Sequence, residues 1–307
     1  MKTVVIAGAG TMGASLAQVY SRAGWNTVLY NRSEKGLERA DRLIALNQDT
    51  MIREGLLTEE DARQMSRCLS MTTEKAAFAQ ADLVVENIKE DMEVKKEFWE
   101  ETSRMTKESA LLATNTSGLS ITEIARAVWK PQRFMGQHWL NPPHLLPLCE
   151  IVIGQQTSWE NAQSMRALLK EMGKQPVVVK DIRGFIINRI QFALLREALY
   201  IVESGAASFE DVDMVLKAGM GLRYAVLGPF GVADFGGLDV FDHINQYLNA
   251  DLCDAKTGDK LLRKLVEHGR LGVKSGAGFY DYSGSKAEQA IRNRDQMYIE
   301  LARVLYF

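Results

Sequence analysis

Gly8-Ala9-Gly10-Thr11-Met12-Gly13 follows directly on Thr3-Val4-Val5-Ile6-Ala7 and leads into a helical pattern, and this junction constrains the fold more than any other segment of the chain. A β-branched apolar run that turns through glycines into a helix is the opening of a dinucleotide-binding βαβ unit. Gly8 permits the tight turn, Gly10 lets a pyrophosphate approach the backbone, and Gly13 allows the helix to pack closely on the strand. The phosphates then rest on unpaired N–H groups at the helix start, the stretch that includes Thr11 and Met12. A tight strand–helix turn without a ligand is the plainer alternative. Strand, glycines, helix and position at the start of the sequence all agree on the cofactor.

Further along, short β-branched runs alternate with helical patterns. Residues 3–7, 27–30, 83–86, 111–114, 134–138, 149–153 and 176–179 read as strands, and the earlier ones are apolar throughout, as buried parallel strands are. Residues 11–23, 35–53 and 92–105 read as helices between them. The alternation predicts an α/β fold, a Rossmann-type doubly wound sheet with helices on both faces. Beyond residue 181 the strand signal stops, and residues 184–204, 208–217, 237–249, 259–268 and 286–304 read as helices, with Ser208 and Asp259 at N-terminal ends. The expected domains are therefore 1–181, binding the dinucleotide, and 182–307, all-helical, with no Pro/Gly/Ser linker between them.

Composition excludes other classes. A net charge of −2 gives no reason to expect nucleic acid or a membrane surface as a partner, and no apolar run reaches the length of a membrane span. The start of the sequence does not read as a signal peptide. Cys68, Cys149 and Cys253 lie far apart, as dispersed thiols in a reducing cytoplasm would. His144, His243 and His268 lack metal-ligand spacing, so no metal is expected.

The second strand should end in an acid that holds the adenosine ribose, yet it ends in Tyr30-Asn31-Arg32-Ser33. Asparagine removes the charge that repels a 2′-phosphate, and Arg32 and Ser33 offer donors to one. NADP is favoured over NAD, although Asn31 can still bond a bare ribose. Further on, His138 closes an apolar strand and Glu150 sits within Leu148-Cys149-Glu150-Ile151-Val152-Ile153. An ionised carboxylate in a buried strand is costly unless satisfied, and a histidine ring N–H would satisfy it. Such a pairing fixes the tautomer and raises the basicity of the other ring nitrogen. Spacing leaves open that His138 is a core histidine and Glu150 an unrelated charge.

His138-x-x-Asn141-Pro142 followed by Leu148-x-Glu150-Ile151-Val152 resembles the signature of the 3-hydroxyacyl-CoA dehydrogenases. Matching segments follow in the same order: Ala81-Asp82-Leu83-Val84-Val85-Glu86, Asn115-Thr116-Ser117, Gly184-Phe185-Ile186-Ile187-Asn188-Arg189, Gly228-Pro229-Phe230 and Gly276-x-Gly278-Phe279-Tyr280. The resemblance implies hydride transfer between a nicotinamide and the 3-hydroxy group of a short L-3-hydroxyacyl-CoA, in fatty acid metabolism. It makes His138 the general base, Glu150 its orienting partner, and Ser117 and Asn188 the polar groups around the reacting hydroxyl. It assigns Glu90, Lys95, Asn115 and Asn141 to the ribose and nicotinamide end of the cofactor, and it implies a cytoplasmic homodimer.

Two departures bear on the substrate. CoA-using relatives carry lysines in the helix before Gly55, where this chain has Asp49 and Glu54, with Glu59-Glu60-Asp61 after it. Carboxylates are poor company for an anionic carrier. In addition, Gly221-Leu222-Arg223-Tyr224 resembles branches acting on free hydroxy acids, such as gulonate and carnitine dehydrogenases. Arg223, in a stretch that reads as short of regular structure, is a candidate clamp for a substrate carboxylate, within one subunit or reaching in from a partner; a solvated loop cation is the plainer reading. Three readings stand: an acyl-CoA substrate, a small free hydroxy acid or alcohol, and a non-catalytic NAD(P)-binding protein.

Overall fold

The computed structural model describes residues 2–306; Met1 and Phe307, the outer limits of the two expected domains, lie outside the described residues. Among the described residues eight strands form one sheet: β1 (Thr3–Ala7), β2 (Asn26–Tyr30), β3 (Leu69–Thr72), β4 (Leu83–Glu86), β5 (Leu111–Thr114), β6 (Phe134–Trp139), β7 (Leu148–Ile153) and β8 (Gln175–Lys180). Their order is β3-β2-β1-β4-β5-β6-β7-β8. Neighbours run parallel except β6 and β7, which pair antiparallel and reverse the last two strands. The seven strands expected from the sequence are present. β3 is an addition: it lies at the sheet edge and buries none of its side chains fully, so its sequence Leu-Ser-Met-Thr carries little hydrophobic signal.

Both faces of the sheet are covered. Val4 and Ile6 of β1 pack toward Leu16 and Tyr20, while Val5 and Ala7 join the opposite cluster with Trp99, Ile121 and Ile124. Alternate side chains of one strand thus enter two cores, which is why these strands read as unbroken apolar runs. The helices are α1 (Thr11–Arg22), α2 (Glu34–Arg53), α3 (Glu59–Cys68), α4 (Met92–Met105), α5 (Ile121–Ala125) and α6 (Trp159–Glu171). Ser33, Thr58, Asp91, Ser120 and Ser158 cap all but the first of them, each accepting a backbone N–H of the first turn.

The chain divides into two compact units after Asn188. The second unit is helical: α7 (Ile187–Glu203, whose first residues close the first unit), α8 (Phe209–Val215), α9 (Leu222–Gly236), α10 (Leu238–Leu248), α11 (Lys260–Glu267) and α12 (Lys286–Tyr306). Ser208 and Asp259 cap α8 and α11 as their sequence positions imply. The stretch around Arg223 corrects the sequence reading: it is helical, with a π-helical turn over Leu216–Gly221 running into α9. Glycine density there masks a helix-compatible run, Leu222–Leu227 by position, that breaks only at Gly228, where φ is +69° before Pro229.

Candidate active site

After β1 the chain crosses to β2 and β3 on one side, and β4 then pairs with β1 on the other, so the carbonyl ends of β1 and β4 flank the point where strand order reverses. Ligands of open α/β sheets bind in that crevice. Gly8 there has φ +105°, and a Cβ on it would lie 2.6 Å from the Asn87 carbonyl oxygen. A Cβ on Gly13 would lie 1.8 Å from the Gly8 carbonyl oxygen, so the turn closes only with glycine at both positions. Gly10 differs: a Cβ would meet nothing within 4 Å. It faces open space at the start of α1, where no side chain caps the helix. Open space above Gly10 and uncapped N–H groups behind it fit a dinucleotide pyrophosphate. Thr11 and Met12 form the first turn of α1.

At the end of β2, Asn31 is drawn inward. Its Nδ2 donates to the Ser33 carbonyl at 3.0 Å and to Ser33 Oγ at 3.3 Å, and its Oδ1 accepts from the Ala9 N–H at 3.4 Å. Ser33 Oγ accepts from Gly36 N as the cap of α2. Arg32 is exposed. No carboxylate stands at positions 31–33.

The antiparallel register places His138 directly opposite Glu150. Both are buried, and His138 Nδ1 lies 2.7 Å from Glu150 Oε2. An ionised carboxylate only accepts hydrogen bonds, so Nδ1 carries the proton and Nε2 is left able to take one. The other carboxylate oxygen, Oε1, accepts the N–H groups of Ile186 at 2.9 Å and Ile187 at 3.0 Å. These sit at the start of α7, where the helix dipole favours a negative charge. They are aimed by Gly184 and Phe185, with φ of +80° and +49°. A left-handed phenylalanine is strained, and strain of this kind gathers at functional sites. The buried Phe185 ring packs 5.4 Å from the imidazole. Burial pushes the Glu150 carboxyl up, but the bond from His138 and the two backbone bonds outweigh it, and the group is held below the usual carboxylate range.

Ser117 is exposed in the loop after β5, and Asn188 Nδ2 donates to its carbonyl at 2.7 Å. Glu90 Oε1 accepts from the Ser117 N–H at 3.1 Å and from Thr116 Oγ1 at 2.5 Å. Asn115 Nδ2 donates to Asn87 Oδ1 at 2.7 Å, and its Oδ1 accepts from the Trp139 N–H at 3.1 Å, tying the end of β5 to the end of β6. Asn141 is exposed just beyond β6, before a cis bond to Pro142. Lys95 stands apart from the other expected cofactor contacts because its side chain is fully buried against Glu86. Arg223 is exposed on the first turn of α9, in the second unit. The sequence reading missed Glu86, Thr116, Phe185 and the paired N–H groups of Ile186 and Ile187.

A Rossmann-type crevice beside a buried His–Glu pair defines a class, the nicotinamide-dependent dehydrogenases. The comparisons narrow it. Residues 3–182 match the 3-hydroxyacyl-CoA dehydrogenase NAD-binding domain, and residues 184–282 match the 3-hydroxyacyl-CoA dehydrogenase C-terminal domain. This chain belongs to the 3-hydroxyacyl-CoA dehydrogenase family, a family of NAD-dependent oxidoreductases. It is 38% identical to a probable 3-hydroxybutyryl-CoA dehydrogenase of Bacillus subtilis, over 92% of this chain and 98% of the relative. It is 30% identical to 5-formyl-3-hydroxy-2-methylpyridine 4-carboxylate 5-dehydrogenase of Mesorhizobium japonicum, over 99% of this chain and 98% of the relative. A crystal structure of a 5-dehydrogenase of that name, described as an NAD+-dependent dismutase, superimposes with a TM-score of 0.91 over 99% of this chain and 98% of its own. The (S)-3-hydroxybutyryl-CoA dehydrogenase of Ralstonia eutropha, 33% identical, gives 0.76 over 92% of this chain and all of its own.

Proposed function

We propose that the protein interconverts a secondary hydroxyl and a carbonyl by hydride transfer, with His138 as general base and Glu150 as the residue that orients it. The observation that carries this reading is the buried His138–Glu150 pair at 2.7 Å, on β6 and β7 of the sheet whose β1 end forms the glycine loop. Bound nicotinamide accepts or returns the hydride. The protein's own groups handle the proton and the oxygen. In oxidation His138 Nε2 takes the hydroxyl proton, and Glu150 stabilises the imidazolium that results. Ser117 Oγ and the free Nδ2 proton of Asn188 donate to the oxygen as it becomes a carbonyl. In reduction the same imidazolium returns its proton. Glu90, Asn115 and Asn141 frame the nicotinamide end.

For the substrate we favour a small hydroxy or keto acid with a free carboxylate. The α2–α3 region carries exposed Asp49 and Asp61, and Glu59 and Glu60 pair with Arg63, so lysines that would meet CoA phosphates are missing from this stretch. A relative covered almost end to end acts, by its name, on a pyridine carboxylate. The second reading, a short L-3-hydroxyacyl-CoA, is supported by the 38% identity to a probable 3-hydroxybutyryl-CoA dehydrogenase. A turnover screen of acetoacetyl-CoA against free 3-keto acids and aromatic hydroxy or formyl carboxylates, with both cofactors, separates them. The free acids are expected to show the higher kcat/KM. Acetoacetyl-CoA turning over more than about tenfold faster, the scale of one lost charged contact, would overturn that choice.

The cofactor preference we propose is NADP(H). Asn31, Arg32 and Ser33 offer a cation and hydroxyl with no carboxylate to repel a 2′-phosphate. Asn31→Asp combined with Arg32→Ala is expected to move the ratio of kcat/KM values toward NAD(H) by about tenfold or more. A wild-type enzyme already preferring NADH by that factor sinks the proposal. The second unit also exposes large apolar side chains, Phe230 and Phe235 on α9 at 86% and 83% and Leu238 on α10 at 61%, a surface suited to pairing with a second copy in a homodimer.

A further inference from the structure

The loop that joins β6 to β7 is short of donors. Three of the seven residues 141–147 are proline, so the segment has seven carbonyls and four N–H groups. Two of those N–H groups, from Leu145 and Leu146, converge on the Pro142 carbonyl at 3.1 and 3.0 Å. The Gln175 N–H of β8 reaches the Pro147 carbonyl at 2.9 Å. The carbonyls of Pro143 and Leu146 take the Lys174 ammonium, at 2.7 and 3.1 Å from Nζ. Lys174 is buried, and its Nζ also stands 5.6 Å from the centre of the Trp139 ring. The sheet register brings it there: Leu148 of β7 pairs with Gln175 of β8, so the residue before β8 lies beside the end of the loop. Lysine carries three donors and no acceptor on a long apolar stem, which suits a surplus of carbonyls. The arrangement is costly. An ammonium held by neutral carbonyls rather than by a carboxylate keeps much of its desolvation penalty, and burial pushes the Lys174 ammonium down to about 8.

We propose that Lys174 is a positioning residue that clamps the β6–β7 loop and so keeps Asn141, the first residue of that loop, in place at the nicotinamide end of the cofactor. The inference rests on the reading of Asn141 given under the proposed function. Lys174 grips the chain on both sides of Asn141. Two residues after it, the Pro143 carbonyl accepts from the ammonium. Two residues before it, the Trp139 ring faces the same ammonium, and the Trp139 N–H is bonded to Asn115 Oδ1. Without the lysine, two buried carbonyls lose their donor and the turn that carries Asn141 is free to move toward other partners or water.

The test compares ligands with and without a nicotinamide, well below the melting temperature, and needs no substrate. Lys174→Met keeps the apolar stem and removes the donors. NADH and NADPH are titrated by fluorescence, and ADP-ribose and its 2′-phosphate, which lack the nicotinamide, by calorimetry. Lys174→Met is expected to bind the preferred reduced cofactor about tenfold more weakly, the scale of one lost hydrogen bond, and to bind the matching ADP-ribose compound as wild type does. In an Asn141→Ala background the same substitution should weaken the reduced cofactor no further while still lowering the melting temperature. Should Lys174→Met fail to fold, Lys174→Gln, whose amide keeps a donor, carries the same comparisons. A purely structural lysine would lower the melting temperature and leave reduced-cofactor binding unchanged, or weaken both kinds of ligand alike. Either result overturns the clamp, as do losses that multiply in the double variant. Asn141→Ala that alone binds the reduced cofactor like wild type overturns the underlying reading of Asn141, and the proposal with it.

Discussion

Replacing His138 by alanine is expected to lower kcat by about 10²–10⁴-fold, the range for losing a positioned general base. Cofactor affinity should barely change, because in the proposed reaction the imidazole works on the substrate proton while the glycine loop holds the pyrophosphate. The variant should fold. Glu150 keeps the N–H groups of Ile186 and Ile187 on Oε1 when the bond from His138 is gone, so its carboxylate is not orphaned. Steady-state kcat with saturating cofactor, beside a fluorescence titration of the reduced cofactor, separates chemistry from binding. A fall in affinity that matches the fall in kcat/KM would mean His138 serves the binding site rather than the proton transfer.

How much of this site can be read from residues is uneven, and the reasons are physical. The glycine loop is legible because only glycine permits the approach of Gly13 to the Gly8 carbonyl, so the constraint is written in the residue type. His138 and Glu150 are legible as candidates because each interrupts an apolar strand, where an unsatisfied polar group is costly. Their partnership is not, since it depends on β6 and β7 pairing antiparallel, and nothing in Asn141-Pro142-Pro143-His144 announces the direction of the next strand. The burial of Lys95 is less legible: beside Lys96, the one mark of an interior position is that it lies four residues before the buried Trp99, on the same face of α4. That spacing, with Glu86 closing an apolar strand, was the available signal. Phe185 has no signal of its own, because its left-handed backbone is imposed by the turn into α7. Arg223 fails in the opposite sense: glycines either side of it suggest a loop, and the local apolar content makes a helix.

Glu150→Gln is expected to cost as much kcat as removing His138, and the reason lies in which oxygen does what. Glu150 Oε1 faces two backbone N–H donors and Oε2 faces His138 Nδ1. A glutamine must put its oxygen where the two N–H groups point, since an amide NH2 there would meet two donors with nothing to accept. Its NH2 therefore faces the imidazole and forces Nδ1 to accept. The ring proton moves to Nε2, the nitrogen that should take the hydroxyl proton, and the base is lost with every atom still in place. In hydrolytic triads the same exchange of carboxylate for amide costs about 10⁴-fold. Cofactor affinity should stay near wild type, and near-wild-type kcat would end the dyad assignment. Acid stability provides an independent readout. The carboxyl of Glu150 is held below its usual range in the folded protein, so it contributes stability that is complete above the ordinary glutamate pKa and is lost as pH falls through the lowered value. Glutamine does not titrate. The wild-type advantage over Glu150→Gln in thermal melts should therefore be largest at neutral pH and shrink on acidification through that window, whereas an advantage independent of pH would mean the carboxyl titrates alike in the folded and unfolded states.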